Sequence, residues 1–407
     1  MAPIALDNTP IAAPAQSSLE DIAALKAKLQ AGKDNVVLPP DNTLRRYQKA
    51  GIDLSNGYPY FPEKIPEYVQ DVGKIRDNLR EYKDPALRAD KEKKSLFGAA
   101  KEVKDLTKWI GTEIVGLQLK DLTDKQKDEL ALLVSERSIV FFRDQDISPQ
   151  QQRDLGVYLG DGEIEKHPQA AQVPGVGGGI TLIWEQGRKD KIYNGRSHRV
   201  PYGGGQFGWH TDLVHEAYPP GYTHLHQDTV PEVGGDTLWA SGYAAYDKLS
   251  PAFRKVIDGL NGVYRSAHSY KDQNDPEGGK KHVERTHPLV RTHPVTGWKA
   301  LWINQAMTSH IEGFDKPESD AILNHLYNVF ERSTDIQLRW HWTPGTSAIW
   351  DNRTTIHTVS YDYDGERHGT RVSSLAEKPF FDPKSKSKAE DLQLKGWVNT
   401  PDVKSRY

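Results

Sequence analysis

The chain has 407 residues, enough to bury a sizeable core, and no cysteine, which removes disulfides, thiolate zinc sites, iron–sulfur clusters and a cysteine nucleophile. A net charge of −3 with 27% charged residues gives no global pull toward nucleic acid or a membrane surface. There is no apolar run of about 18 residues and no signal-peptide pattern at the N-terminus, so a cytoplasmic protein is expected, without membrane or nucleic-acid partners.

Residues 1–17 are rich in Ala and Pro and carry no apolar periodicity, the composition of a disordered segment. Ser17 or Ser18 can cap a helix to about Gln30, with Leu19, Ile22, Leu25 and Leu29 along one face. Residues 31–105 hold many Pro, Tyr and Lys and little strand pattern, so 1–105 is expected to be a helical and irregular N-terminal extension. The regular domain is expected over 106–383 and a polar tail over 384–407. Its first elements are a strand near Ile114–Leu119, a helix capped by Thr123 with Leu130, Leu133 and Val134 buried, and a strand over Ser138–Phe142. A helix opened by Ser148-Pro149 follows and ends near Gly160.

From about residue 200 the pattern changes to short strands between Gly and Pro turns: Tyr222–Asp228, Thr237–Ala240, Gly262–His268, Leu289–Thr292, Ala300–Asn304, Ile336–Trp342, Ser347–Trp350 and Arg371–Leu375. Ile336, Leu338, Trp340 and Trp342 alternate with Gln337, Arg339 and His341, the period of a half-buried strand. A helix over Pro317–Arg332 interrupts, with Ala321, Ile322, Val329 and Phe330 as core candidates. The expected class is mainly β with flanking helices (α+β), a sandwich or jelly roll.

Two His and one carboxylate on one face of a metal leave open positions for a co-substrate and O2, the arrangement of non-haem Fe(II) oxygenases. His-x-Asp on an extended segment projects two such ligands to one side, and a distant His can complete the set. The pair alone is a weak signal: 15 His and 56 acidic residues produce about two His-x-acid matches by chance. The chain offers four, at His210/Asp212, His226/Asp228, His282/Glu284 and His310/Glu312, and His224-Leu225-His226 is the strongest rival, in the manner of a cupin-like metal site.

Context favours the first. Gly208-Trp209-His210-Thr211-Asp212 is followed by Gly234-Gly235-Asp236-Thr237-Leu238-Trp239, then Trp350-Asp351-Asn352-Arg353, His357, Arg367 and Arg371. This ordered set resembles the taurine dioxygenase (TauD/TfdA) family of Fe(II)/2-oxoglutarate-dependent dioxygenases, from about Asp105 to Pro383, with an N-terminal extension like that of some fungal members. The resemblance implies a double-stranded β-helix, Fe(II), 2-oxoglutarate and O2, and a small-molecule substrate. It implies His210, Asp212 and His357 as catalytic iron ligands, Thr237 and Arg367 on the far carboxylate of 2-oxoglutarate, and Arg371 on an anionic group of the substrate. The residue types suit those tasks, because Arg presents a fixed fork to a carboxylate and two Arg at i, i+4 on a strand share a side.

His167-Pro168 resembles the His-Pro of the family's substrate pocket, but Ala170 stands where taurine-specific members have Tyr, and Gln206 where they have Asn. A pocket with His167, Gln206 and Arg371 could take an alkyl sulfonate, an alkyl sulfate, a carboxylate or an amino acid, and 171–205, with Trp184, Arg188, Tyr193 and Tyr202, could close over it as a lid. Three alternatives stay open at this point: desaturation or cyclisation of an amino acid in secondary metabolism, a cupin-like protein holding metal with His224/His226, and a non-catalytic β scaffold. A homo-oligomer also stays open.

Overall fold

The computed structural model describes residues 17–31, 37–61, 66–74, 81–166, 170–184 and 208–394. Four helices precede the sheets: α1 (Ser17–Gln30), α2 (Asp41–Lys49), α3 (Val69–Lys74) and α4 (Lys94–Ala99). The strands β1 (Glu102–Asp105) and β2 (Thr112–Val115) then pair antiparallel, so the first sheet begins earlier than the apolar pattern indicates. Next come α5 (Asp124–Arg137), β3 (Ile139–Phe142), α6 (Pro149–Leu159) and β4 (Thr181–Trp184). Thr123 and Ser148 each cap their helix in a capping box, satisfying amide groups that the first turn cannot.

The second half holds β5 (Pro220–Thr229), β6 (Thr237–Ser241), α7 (Gly242–Lys248), α8 (Pro251–Ile257), β7 (Asn261–Tyr270), β8 (Lys281–Pro288), β9 (Val290–Thr292), β10 (Lys299–Leu301) and β11 (Thr308–Ile311). It ends with α9 (Lys316–Arg332), β12 (Gln337–Trp340), β13 (Thr346–Asp351), β14 (Thr355–Val359), β15 (His368–Leu375) and α10 (Lys388–Asp391).

A seven-stranded sheet runs β1-β2-β3-β13-β5-β15-β4, antiparallel except for the β2/β3 pair. A three-stranded sheet, β12-β6-β14, lies against it. The contact is aromatic: Phe141 stacks on Trp340 with ring centroids 3.9 Å apart, and Trp239 lies 5.7 Å from Trp350. Burying each of these rings contributes roughly 1.5–3 kcal/mol, and together they fix the spacing of the two sheets. The predicted alternation holds, with Ile336, Leu338, Trp340 and Trp342 buried and Arg339 and His341 exposed.

Three expectations change. The buried face of α9 is Leu323, Leu326 and Phe330, with Ile322 and Val329 packed against the same core; of the expected core residues only Ala321 is exposed. Residues 384–394 are not a free tail. Trp298 bridges to Lys386, and Lys388 is buried beside the Trp298 and Tyr243 rings with its ammonium donating to the Glu136 carbonyl. Nor does the first part of 171–205 lie over anything as a lid. β4 pairs with β15, and Trp184 is buried against Tyr58 and His368. Arg188, Tyr193 and Tyr202 lie outside the described residues, as do 1–16 and 395–407.

Among the described residues no helix is long and apolar enough to cross a membrane.

Candidate metal and co-substrate site

His357 sits on β14, where short apolar and β-branched residues suit a strand with both faces covered. Its backbone N–H donates to the His210 carbonyl at 2.8 Å, and the His210 N–H returns the bond to the His357 carbonyl at 2.9 Å. Two residues 147 positions apart are thereby fixed side by side, with imidazole centroids 4.2 Å apart. Asp212 follows at the foot of the same segment, and the next residue, Leu213, takes a left-handed backbone (φ 53°) that turns the chain away.

One ligand atom from each of His210, Asp212 and His357 lies within 4.8 Å of the others. His210 Nδ1 is engaged with the Gly208 carbonyl at 2.8 Å, which fixes the ring and leaves Nε2 on the Asp212 side, 3.7 Å from the carboxylate. His357 is buried and its Nδ1 has no hydrogen-bond partner. Burial, with His210 adding to it, pushes the His357 pKa down to about 3, so the ring is a neutral donor at physiological pH. For Asp212, burial alone would raise the pKa, but Arg371, His357 and His210 outweigh it and keep the carboxylate ionised. Two imidazoles and one carboxylate, without thiolate, form a donor set that fits Fe(II).

Thr237 and Arg367 lie together, with Thr237 on β6, the strand paired with the β14 that holds His357. Arg367 Nε donates to the Gly235 carbonyl at 3.0 Å and Nη2 to Thr237 Oγ1 at 3.2 Å. Trp342 Nε1 also donates to Thr237 Oγ1, at 2.9 Å. Thr237 Oγ1 thus accepts two hydrogen bonds, which occupies both of its acceptor positions. The Gly-Gly-Asp turn before Thr237 has a steric reason. A Cβ on Gly234 would lie 2.4 Å from the Asp362 carbonyl, and both glycines have positive φ. Asp236 then locks the turn through Arg339 (2.6 Å) and His341 (2.8 Å).

Arg371 lies on the same face of β15, and its Nη1 donates to both Asp212 oxygens at 2.9 and 3.0 Å. The residue expected to meet a substrate anion thus also holds a candidate metal ligand. Its remaining nitrogens donate to no group among the described residues. His167 and Gln206 lie outside the described residues; Ala170 is buried.

The rival pair has other partners. His224 Nε2 and His226 Nδ1 both meet Ser347 Oγ, at 3.0 and 2.9 Å, in the middle of the large sheet. Burial pushes both pKa values down, that of His226 to about 4. His226 Nε2 lies 3.4 Å from Asp228, and the guanidinium of Arg46 already neutralises that carboxylate. His282 and His310 pair locally with Ser266 and Ser309 on the edge sheet, far in function from any cluster of ligands.

The motifs name one further contributor without a role, and miss a second. The Trp350–Arg353 stretch locks the β13–β14 turn: Arg353 donates to Asp351 (2.8 and 2.7 Å), Asp84 (2.7 Å) and Glu377 (3.3 Å), and His293 meets Asp351 at 2.9 Å. All are buried or nearly so, and the turn leads directly into His357. Gln227, fully buried on β5, supports Arg367. With its amide oriented to satisfy its neighbours, the oxygen accepts from Arg367 Nη2 and Nη1 at 3.1 and 3.3 Å and the nitrogen donates to the His368 carbonyl at 2.9 Å. No motif signals Gln227; the β5/β15 register does.

A two-sheet scaffold with two His and one Asp converging beside a Thr–Arg pair defines a class, the non-haem metal enzymes that leave metal positions open for exchangeable ligands. The model of the taurine catabolism dioxygenase TauD, TfdA family matches residues 102–373, and the chain belongs to that family. It is similar to an α-ketoglutarate-dependent sulfonate dioxygenase of Saccharomyces cerevisiae, 35% identical over 343 residues covering 80% of each chain. It is also similar to an α-ketoglutarate-dependent sulfate ester dioxygenase of Pseudomonas putida, 31% identical over 284 residues, 66% of this chain and 86% of that one. Among solved structures, a taurine dioxygenase from Burkholderia xenovorans superposes with a TM-score of 0.58 at 29% identity, covering 70% of this chain and 92% of the other. The chain is therefore a non-haem iron, 2-oxoglutarate-dependent dioxygenase, and the family membership accounts for the ordered motifs.

Proposed function

We propose that this enzyme oxidises a C–H bond of a small alkyl sulfonate or sulfate ester, with consumption of 2-oxoglutarate and O2 and formation of succinate and CO2. The two facing sheets are read as the double-stranded β-helix of the family, residues 102–373 as the catalytic domain and the described residues before 102 as part of an extension packed on it. The observation that carries the reading is the bond of Arg371 to Asp212 in the His210/Asp212/His357 cluster, together with the bonded Thr237–Arg367 pair on the strand next to the one that holds His357.

His210, Asp212 and His357 would hold Fe(II), which when bound supplies the activation of O2 against 2-oxoglutarate. Thr237 offers its hydroxyl proton, and Arg367 its positive charge, to the far carboxylate of 2-oxoglutarate, so the keto-acid end is aimed at the metal. Arg371 acts on both sides of the site. One nitrogen keeps Asp212 ionised and oriented, and the rest of the fork meets the sulfonate or sulfate oxygens. The buried Trp350 ring, 5.1 Å from His357, and the apolar core beneath it keep water from the inner side of the metal ligands.

Oxidation at a carbon bearing sulfonate or sulfate gives a hydroxylated product that collapses to an aldehyde, releasing sulfite or sulfate. The test is an anaerobic titration with Fe(II) and 2-oxoglutarate, followed through the visible charge-transfer band, and then substrate-dependent succinate formation with alkyl sulfonates, alkyl sulfates and amino acids. Perturbation of the band and succinate release by the sulfur-containing anions are expected. Turnover with amino acids alone would replace the substrate assignment.

A further inference from the structure

The face of β5 and β15 turned away from the metal carries a buried polar cluster built partly by the N-terminal segment. The register between the strands slips here: His368 pairs with Thr229, but Gly369 pairs with Gln227, which leaves Asp228 as the extra residue of a β-bulge. The Asp228 carboxylate accepts from Arg46 Nη1 at 3.2 and 3.3 Å. It also faces His226 Nε2 at 3.4 Å and His368 Nδ1 at 3.3 Å. Arg46 spends its other donors on Thr370 Oγ1 (2.8 Å), Gln152 Oε1 (3.0 Å) and the Ile147 carbonyl (2.7 Å). Both ring nitrogens of His368 are met from the N-terminal side, Nδ1 by Thr43 Oγ1 at 3.0 Å and Nε2 by the Tyr58 hydroxyl. Thr43, Tyr58, Asp228 and His368 are all buried.

This cluster adjoins the co-substrate end of the site through the backbone. His368 follows Arg367, and Asp228 follows Gln227, whose amide bridges the Arg367 guanidinium and the His368 carbonyl. The strands cannot adjust separately, because a Cβ on Gly369 would lie 2.5 Å from the His226 carbonyl. A bulge commonly re-aims side chains, and this one is held from outside by an ion pair and a doubly bonded imidazole.

We propose that residues 41–61 are a positioning element for 2-oxoglutarate: Arg46 and Tyr58, acting through Asp228 and His368, set the aim of Arg367. The inference rests on the reading of Arg367 as the residue that meets the far carboxylate. It gives the extension a task within the reaction, since a carboxylate fork displaced by a fraction of an ångström loses much of its binding.

The test uses full-length, Fe(II)-loaded enzyme without O2 and measures 2-oxoglutarate binding by calorimetry, with Fe(II) affinity measured separately and hydrogen exchange followed along β15. Tyr58→Phe and Arg46→Lys, which keep bulk and charge, are expected to weaken 2-oxoglutarate binding about tenfold. Fe(II) affinity should stay within about twofold, and exchange at 367–371 should rise. Unchanged 2-oxoglutarate affinity in both variants, with only a lower melting temperature, overturns the proposal and leaves the cluster a structural tie. Arg367→Ala separates the two levels. A loss of about a hundredfold in 2-oxoglutarate affinity upholds the reading beneath the inference. No loss removes that reading and the inference with it.

Discussion

The sequence His-x-Asp occurs twice within 20 residues, at 210–212 and at 226–228, and the two copies come to opposite ends. The first stands outside the named strands, joined to His357 through one reciprocal pair of backbone bonds, and its side chains converge with a third ligand. The second lies near the end of β5, inside the large sheet, and its side chains are closed off by Ser347, Arg46 and the N-terminal helix α2. Both carboxylates have depressed pKa values against the opposing effect of burial, one chiefly because of Arg371 and the other chiefly because of Arg46. Each carboxylate has a guanidinium and two imidazoles beside it, so what separates them is how the rings are engaged. Beside Asp212, His210 and His357 bring one ligand atom each within 4.8 Å of the carboxylate and of one another, whereas beside Asp228 the rings of His226 and His368 are taken up by Ser347, Thr43 and Tyr58.

The comparison breaks most visibly through the metal. Asp212→Ala is expected to abolish stoichiometric iron and lower succinate release by at least about a thousandfold, while His224→Ala keeps its iron. Metal analysis of the two purified variants checks this, and the reverse pattern would exchange the roles of the two pairs. Stability should respond the other way. Asp228→Ala leaves Arg46 buried without its carboxylate and should cost about 3–5 kcal/mol in denaturant unfolding.

Acid sharpens the same contrast. His226 and His287 are held down to about 4 in the folded chain, mainly by burial, against about 6.5 unfolded. Between these values the unfolded chain binds protons that the folded chain refuses, so stability falls as pH drops from 6.5 toward 4, by roughly 1 kcal/mol per pH unit for each ring. His226→Gln should flatten that slope by one proton, read from unfolding midpoints across the range; an unaltered slope would place the titration elsewhere. The smallest effect belongs to the cover over the second pair. Ser148→Ala removes the cap of α6, which carries Gln152 to Arg46, and should cost about 1 kcal/mol in the same measurement.

The elements legible in the sequence were those whose signal is local. The capping residues of α5 and α6, the Ile336–Trp342 alternation and the strand around His226 are set by neighbours three or four positions away, and they stand where the pattern put them. β8 was missed because Lys281–Pro288 is half exposed, mixing charged and apolar residues and ending in Pro. β14 was hidden because five residues give too short a period to read. The metal ligands were legible through their order along the chain. The doubling of Arg371 onto Asp212, the support of Arg367 by Gln227 and the reach of Arg46 to Asp228 were not, since each joins residues between 140 and 182 positions apart.

The reciprocal peptide bonds between His210 and His357 have a practical side. They work as a jig: the distance between the two rings is set by the polypeptide before any ion arrives. If the pair holds iron as proposed, exchange of the ion asks for no refolding of the backbone that spaces its two imidazole ligands.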